Sequence, residues 1–304
     1  MKTVKNVPAS VRQKLLNKSR NDKRPFNELL QYYAMERFLY RLSQSSFINK
    51  FVLKGALMLS VWNSPEIRPT MDIDMLGIIE NDEEKLKEVL KKIIRTEVID
   101  DGLKFDINSI VSETITEDAD YDGVRIRFIA YLETARINLQ IDIGFGDIVY
   151  PEFEKKELPA ILDFPEPSLY CYSKESAIAE KFEAIVKLGL INSRMKDFYD
   201  IWLLSRQYDF DYNTLIESVR LTFDNRKTEL NAELHAFSDE FILLKQSQWK
   251  AFRRRVRLDY VPESFSEIIE ELKKFLLPLI KINSDYEEWI APGPWKFNRI
   301  LTAE

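Results

Sequence analysis

The pattern of hydrophobic and polar positions changes near the middle of the chain. In the first half, short apolar segments alternate with polar ones, which predicts strands near residues 51, 71, 105, 124 and 137. Helical periodicity in the same half predicts helices over residues 9–20, 26–43 and 82–96. From residue 173 onward apolar positions recur at helical spacing. Residues 151–167, which are rich in proline and glutamate, form the natural connector between the two lobes. The chain is therefore predicted to be α+β, with a mixed β-sheet and flanking helices in residues 1–150 and a mainly helical lobe in residues 168–304.

Two aspartates separated by one residue lie in the second predicted strand. Successive side chains of a strand point to opposite faces, so Thr70, Asp72 and Asp74 should share one face while Met71 and Ile73 point into the core. Ionised carboxylates on one face repel each other, and Mg²⁺, which prefers oxygen ligands, would relieve that repulsion. The alternative is a pair of solvated carboxylates on an exposed strand.

A third carboxylate is available on a later strand. Between Arg136 and Gly144, isoleucine and leucine alternate with polar residues, so Asp142 is the charged residue on the polar face of a half-buried strand. Asp147 is a rival, although it follows Gly144 and Gly146 and belongs in a loop. The predicted metal ligands are Asp72, Asp74 and Asp142.

A glycine turn precedes the acidic strand. Residues 51–53 are typical of a buried strand, Lys54 and Gly55 of a tight turn, and residues 56–62 of an apolar helix. Glycine at such a turn lets backbone N–H groups approach a phosphate closely, which makes Lys54 and Gly55 candidates for nucleotide binding. Alternatively, Gly55 is an ordinary turn glycine.

Two predicted helices of the second half carry further polar candidates. Residues 175–187 are amphipathic, with Ser173 as a plausible N-cap and Gly189 as the terminator. Spacing alone is compatible with Lys181 being a solvated surface lysine. Asp197 falls early in the next helix, where a carboxylate also interacts favourably with the helix dipole.

Composition limits the classes of function. A chain of 304 residues with 45% hydrophobic content is long enough for two lobes. A single cysteine, Cys171, excludes an intrachain disulfide, and a single histidine, His235, disfavours a zinc site. The N-terminus lacks the apolar region of a signal peptide, and no apolar run approaches the length of a membrane span. We expect a cytoplasmic protein with no membrane partner.

The charge is uneven along the chain. A net charge of −6 argues against a general nucleic-acid binder, but residues 1–24 contain eight Lys or Arg and one acid. A second basic cluster lies among Trp249, Phe252 and Tyr260 and consists of Lys250, Arg253, Arg254, Arg255 and Arg257. This mixture could hold phosphates and stack bases, or each basic segment could be a solvated helix face or part of an intramolecular ion-pair network.

Five segments, taken together, resemble the AbiEii/AbiGii toxin family of nucleotidyltransferases, which includes the MenT toxins and has a DNA polymerase beta-like catalytic core. The segments occur in the family's order and are residues 36–42 (ERFLYRL), 51–57 (FVLKGAL), 68–74 (RPTMDID), 140–144 (QIDIG) and 179–200, from AEK to RMKDFYD. The resemblance covers most of the chain and implies a nucleotidyltransferase core.

The resemblance also assigns roles to individual residues. It implies that Thr70, Asp72 and Asp74 lie at the nucleotide and metal site and that Lys181 faces the triphosphate of the nucleotide.

A second essential acid of the family corresponds to Asp197, although Asp200 lies on the same helical face and either acid could do the chemistry. One departure concerns the first turn, where broader members carry a small hydroxyl residue after the glycine. Here Gly55 is followed by Ala56 and Leu57, so a hydroxyl contact to the phosphates is lost.

The implied activity is Mg²⁺-assisted transfer of a nucleoside monophosphate from an NTP to the 3′ end of tRNA, which would block translation. The protein would act as the toxin of a toxin–antitoxin pair, with a cognate antitoxin as partner. The expected catalytic residues are Asp72, Asp74, Lys181 and Asp197, and the expected nucleotide-binding residues are Lys54, Gly55, Thr70 and Lys181. The rival functions are a nucleotidyltransferase that modifies a small molecule or a protein, and a non-catalytic nucleotide-binding module.

Overall fold

The chain divides into two compact units. A computed structural model of the protein describes residues 6–66, 68–117, 121–230, 234–257, 259–280 and 285–297. The first unit comprises Met1–Gly146 and Phe153–Tyr172, and the second comprises Asp147–Glu152 and Ser173–Glu304.

A mixed β-sheet organises the first unit. Its strands are β1 (Phe51–Lys54), β2 (Ile73–Gly77), β3 (Leu103–Glu117), β4 (Tyr121–Leu132), β5 (Ala135–Phe145), β6 (Glu154–Glu157) and β7 (Ser168–Cys171). Within the described residues these strands pair in the order β3-β4-β5-β2-β1-β7-β6. β2 runs parallel to β5 and antiparallel to β1, while β1 runs parallel to β7, so the centre of the sheet mixes both directions.

Four helices accompany this sheet in the described part of the first unit. They are α1 (Val7–Asn21), α2 (Phe26–Gln44), α3 (Met58–Val61) and α4 (Glu83–Ile94). α4 buries Leu86, Leu90 and Ile93 on one face, the spacing of an amphipathic helix, and begins where the Asp82 carboxylate accepts a hydrogen bond from the Lys85 N–H. These apolar faces and the inner face of the sheet form one core.

Buried polar groups of α2 hold the segment that the sequence predicts as a connector. The Glu36 carboxylate accepts a hydrogen bond of 2.6 Å from the Ile161 N–H, and Arg37 donates one of 2.7 Å to the Pro165 carbonyl. Burial raises the pKa of Glu36 to about 7, although the adjacent Arg37 lowers it. Most of residues 151–167 consequently belong to the first unit and include β6.

The second unit is mainly helical. Its helices are α5 (Lys174–Leu188), α6 (Met195–Gln207), α7 (Tyr212–Asn225), α8 (Asp239–Val256) and α9 (Phe265–Ile280). α5 begins at the predicted cap, where the Ser173 hydroxyl accepts a hydrogen bond from the Ser176 N–H, and ends at Gly189. No helix within the described residues is long and apolar enough to cross a membrane.

A small antiparallel sheet in the second unit is not anticipated by the sequence pattern. It consists of β8 (Phe210–Asp211), β9 (Tyr286–Trp289) and β10 (Trp295–Phe297), in the order β10-β9-β8 within the described residues. The rings of Trp289 and Trp295 both pack on Phe275 of α9, which fixes the strands by long-range aromatic contacts. The predicted fold class, α+β with a mixed sheet and a mainly helical second part, is confirmed.

Candidate active site

Three aspartates of the first unit come together at the centre of the mixed sheet. Asp74 on β2 lies directly opposite Asp142 on the parallel strand β5, and Asp72 immediately precedes β2. Each carboxylate places one oxygen so that the three oxygens lie within 4.8 Å of one another. The residues predicted as metal ligands are therefore neighbours in space, and metal binding itself stays a prediction.

The segment before β2 differs from the predicted strand. β2 begins at Ile73, which is buried, whereas Met71 is 58% exposed, so the expectation that Met71 points into the core is wrong. Alternation of faces holds only where a strand is paired, and the pairing with β1 and β5 starts after Met71. The Thr70 hydroxyl nevertheless reaches the site by donating a hydrogen bond of 2.5 Å to Asp72 Oδ1. This contact orients the Asp72 carboxylate.

Gly55 lies directly against the Asp74 carboxylate. Its φ is +74°, and a Cβ at this position would come within 2.6 Å of Asp74 Cγ and closer still to the Oδ2 atom. Glycine is thus required both by its backbone conformation and by the space that Asp74 occupies. A 3₁₀ turn over Gly55–Leu57 runs directly into the four-residue α3, so the segment predicted as an apolar helix over residues 56–62 is helical up to Val61. The phosphate-binding role of this turn stays a prediction.

Lys54 shares this part of the sheet. It lies opposite Asp74 in the antiparallel pair of β1 and β2, and its side chain is buried. Its ammonium nitrogen lies 5.5 Å from the centroid of the Tyr172 ring, a cation–π distance. Lys54 therefore contributes a positive charge to the strand next to the acidic cluster.

Arg125 is a polar member of the site that the sequence analysis missed. From β4 it donates two hydrogen bonds to Asp142, Nε to Oδ1 at 2.8 Å and Nη2 to Oδ2 at 2.7 Å. The Gln140 amide also donates to Asp142 Oδ2, at 3.2 Å. The hydrogen bonds from Arg125 and the charges of Asp142, Glu113 and Asp72 raise the pKa of the guanidinium, so it stays charged.

This arrangement fits a divalent cation. Each carboxylate oxygen has more than one lone pair, so Asp142 can accept from Arg125 and still offer a ligand atom. Three carboxylates beside the Arg125 guanidinium and the Lys54 ammonium still leave one net negative charge among hard oxygen donors, the set that Mg²⁺ prefers. The donor chemistry and the spacing agree with the predicted ligands Asp72, Asp74 and Asp142.

A second polar cluster lies in the second unit. The ammonium of Lys181 is 2.9 Å from Asp200 Oδ2 and 3.4 Å from Asp197 Oδ1, while Arg194 Nε donates to Asp197 Oδ2 at 2.6 Å. The Lys181 side chain is 17% exposed and both aspartates are buried, so Lys181 is not a solvated surface lysine. Because both acids contact the same ammonium, the choice between Asp197 and Asp200 stays open.

Asp147, the rival to Asp142, has different partners. Its carboxylate accepts a hydrogen bond of 2.8 Å from Arg226, which also donates to the buried Glu183 at 2.9 Å. Burial lowers the pKa of Arg226, but Glu180, Asp147 and Glu183 outweigh that effect and raise it. Asp147 is thus part of an ion-pair network of the second unit.

In the second basic cluster, several of the cationic side chains are exposed, but the aromatic side chain of Trp249 is buried. Trp249 is fully buried and donates its indole N–H to the Pro262 carbonyl, so its ring cannot stack on a base. Lys250 pairs with Glu263 at 3.0 Å, whereas Arg254, Arg255 and Arg257 are exposed at the end of α8. Of the basic N-terminal segment, Lys2 and Lys5 lie outside the described residues, and the others are on or next to α1 and α2.

Comparison with known proteins identifies the family to which this chain belongs. The model of the AbiEii family, described as nucleotidyl transferase AbiEii toxin of type IV toxin–antitoxin systems, matches residues 37–271. These residues are well over half of the chain and include both polar clusters. The chain belongs to the AbiEii family of nucleotidyltransferase toxins.

Other comparisons are weaker. A solved structure of an H. pylori protein thought to be a nucleotidyltransferase matches 83% of this chain and 96% of its own, with 13% identity and a TM-score of 0.48. JHP933 from Helicobacter pylori matches over 76% of this chain and 95% of its own, with 16% identity and a TM-score of 0.40. At such values neither likeness carries an argument about function. No curated protein sequence matches the chain significantly.

Proposed function

We propose that this protein is a Mg²⁺-dependent toxin that transfers a nucleoside monophosphate from an NTP to the 3′ end of tRNA and so blocks translation. The observation that carries the proposal is the group of three carboxylates whose oxygens lie within 4.8 Å of one another in a chain of the AbiEii family. In the proposed reaction, an acceptor hydroxyl releases its proton to solvent, and its oxygen forms a bond to the α-phosphorus of the NTP. The bond from that phosphorus to the β-phosphate oxygen breaks, and pyrophosphate leaves.

The first unit supplies the acidic part of the proposed chemistry. Asp72, Asp74 and Asp142 would provide oxygen ligands, and Mg²⁺ held there would stabilise the charge that develops on the transferred phosphoryl group. Thr70 fixes the orientation of Asp72 through its hydroxyl, and Arg125 does the same for Asp142 through its paired hydrogen bonds. Both contacts hold carboxylates in place before substrate binds, which lowers the cost of organising the site.

Lys181 of the second unit is proposed to bind the triphosphate as a point charge. Its burial and its two carboxylate partners support the proposal, because a lysine held between acids has a fixed position rather than a mobile one. Asp197 is proposed to position the nucleotide or the attacking hydroxyl, and Arg194 fixes its carboxylate. In the first unit, Lys54 and Gly55 are proposed to bind nucleotide phosphates.

The experiment that tests the proposal is to incubate the protein with each α-labelled NTP, Mg²⁺ and total cellular RNA and to identify the labelled molecule. Label at the 3′ end of tRNA, lost on chelation of Mg²⁺ and in the Asp72→Asn variant, is the expected result. Glu97→Gln serves as the matched control, because it removes one negative charge from an exposed position of the same unit.

Other outcomes would replace the proposal. Label in a small molecule or in a protein would identify a nucleotidyltransferase with another acceptor. A well-folded protein that labels nothing with any NTP would be a nucleotide-binding module without catalysis. Full transfer by a folded Asp72→Asn variant would refute the assignment of the acidic cluster.

A further inference from the structure

A cavity of about 430 Å³ lies within the second unit between the start of α6 and the last turns of α8. Three cationic side chains line it, namely Arg194 and Lys196 from α6 and its cap and Arg255 from α8. Ser193 and Gln248 add polar groups, and Phe252 forms an apolar part of the wall. The cavity thus combines positive charge with hydrogen-bond donors.

The charge of this cavity selects an anion. None of the described residues that line it is acidic, and Arg194 is the one of the three cations that pairs with a carboxylate, that of Asp197, within the described residues. Lys196 and Arg255 are exposed, and within the described part of the chain neither forms an ion pair. Two solvated cations that converge on one cavity without a protein counter-ion favour a phosphate as the ligand.

The surface beside the cavity indicates more than one phosphate. Arg254 and Arg257 are exposed on the same end of α8 and continue the positive charge beyond Arg255. The hydrogen bond and charge of Lys250, followed by the charges of Arg253 and Arg254, lower the pKa of Glu263, so this acid offsets the Lys250 part of the basic cluster. A row of cations fits successive phosphates of a nucleic-acid strand better than the compact anion of a single nucleotide.

The aromatic side chain in the cavity wall offers little to a base. Phe252 is buried against the Tyr199 ring, and Trp249 is buried beside it. Contacts in this cavity would therefore be to the backbone and would not depend on base sequence.

We infer that the cavity binds a backbone phosphate of the RNA acceptor, with Lys196 and Arg255 as the phosphate-binding side chains and Arg254 and Arg257 as contacts to neighbouring phosphates. The inference rests on the proposed function for the identity of the acceptor. Arg194, which lines the cavity, also donates to Asp197, and Asp197 contacts Lys181. The strand is thereby held next to the lysine proposed to bind the triphosphate.

The test is the salt dependence of RNA binding. A short single-stranded oligouridylate is titrated at several salt concentrations with the parental protein and with the Lys196→Ala/Arg255→Ala variant. Each phosphate contact on a single strand contributes about −0.7 to the slope of log affinity against log salt concentration, and Lys196 and Arg255 share one phosphate, so the slope of the variant should be shallower by about 0.7. By the same relation its affinity for the oligouridylate near 0.1 M salt should fall roughly 5-fold.

A Lys227→Ala/Lys245→Ala variant is the matched control. It removes the same charge from two positions of the second unit that do not line the cavity. Thermal unfolding of both variants shows whether the fold is kept. The control should retain the parental slope, which separates a local contact from a general effect of net charge.

Several results would overturn the inference. An unchanged RNA slope in a folded cavity variant would show that these cations do not contact RNA. An equal change of slope in the cavity variant and the control would show that the change comes from net charge and not from a local contact. If the cavity variant lost affinity for inorganic triphosphate but bound RNA as the parental protein does, the cavity would be assigned to a phosphate of the nucleotide instead.

Binding requires no transfer chemistry, so the two proposals can fail separately. A parental protein that binds RNA with the expected slope but labels no RNA refutes the proposed function and leaves the cavity assignment in place. If the parental protein labels tRNA but the cavity variant keeps the parental slope, only the assignment of the cavity to RNA binding is refuted.

Discussion

The substitution Asp72→Asn should stabilise the first unit in the absence of metal and remove its stabilisation by Mg²⁺. Asp72, Asp74 and Asp142 each carry a negative charge within a few ångströms of the other two. Asparagine keeps the side-chain oxygen that accepts the Thr70 hydrogen bond but carries no charge. The variant therefore isolates the electrostatic role of the cluster from its packing.

The magnitude follows from the spacing of the oxygens. At 4.8 Å two unit charges repel by about 0.9 kcal/mol in water and about 3.5 kcal/mol at an effective dielectric constant of 20. The variant loses two such repulsions, with Asp74 and Asp142, and one attraction, to Arg125. Because Asp72 is only half-buried, the net gain should lie near the lower figure, about 1 kcal/mol, or a rise of about 2–4 °C in the melting temperature.

Thermal unfolding with EDTA and with increasing Mg²⁺ measures both effects. Parental protein should gain about 2.7 kcal/mol when Mg²⁺ reaches a hundred times its dissociation constant, and Asp72→Asn should gain much less. Glu97→Gln, which removes an exposed charge from the same unit, should behave as the parental protein in both conditions.

A metal-free Asp72→Asn variant that melts below the parental protein would refute the repulsion argument. Equal stabilisation of the variant and the parental protein by Mg²⁺ would refute the metal site. Either result could be obtained without any measurement of transfer, so it bears on the acidic cluster alone.

Three further changes test other parts of the structure. Gly55→Ala should cost about 1–2 kcal/mol of stability for the positive φ and, by displacing Asp74, should lower transfer roughly 10²-fold; transfer near the parental rate would contradict the close contact. Lys181→Met should lower the free energy of unfolding in urea by about 3 kcal/mol, because it leaves the buried carboxylate of Asp200 without this cation, and Lys181→Arg should restore part of the loss. Burial raises the pKa of Glu36 from 4.5 to about 7, so between these pH values the folded protein holds a proton that the unfolded chain releases. The free energy of unfolding in urea should therefore fall as pH rises from 4.5 to 7, and the fall should be weaker in Glu36→Gln.

Local signals in the sequence were sufficient for the helices that carry the second polar cluster. The bounds of α5 follow from a serine cap and a terminating glycine, both of which act within one turn of the chain. The small sheet of the second unit could not be found in this way. β8 contains only two residues, and the pairing of β9 with β10 depends on rings distant in sequence, such as Phe275.

Local sequence signals were also insufficient to place the start of the strand that carries part of the acidic cluster. The strand alternation placed Asp74 and Asp142 on polar faces, but it extended the strand back to Met71, which lies before the paired region. Where a strand begins is decided by its partners, and the partners of β2 come from segments before and after it in the chain. A single segment does not carry that information.

Arg125 was missed although its position was accessible from the sequence. β4 and β5 are joined by a turn of two residues, Glu133 and Thr134, so Leu132 lies opposite Ala135. Arg125 lies seven residues before Leu132 in β4, and Asp142 lies seven residues after Ala135 in β5, so the two residues necessarily face each other. Turn length and alternation together fix that pair, whereas alternation within β5 alone identifies only Asp142.

The same reasoning makes the hairpin turn part of the site. Side chains alternate faces along a strand, so a shift of one residue in the β4–β5 register would bring a core residue opposite Asp142 and carry Arg125 to another partner. Asp142 would then lie among the other two acids without the guanidinium that holds both of its oxygens. Glu133, which has a positive φ of 52°, and Thr134 thus determine, from the far end of the hairpin, whether the acidic cluster is oriented and partly neutralised before any cation binds.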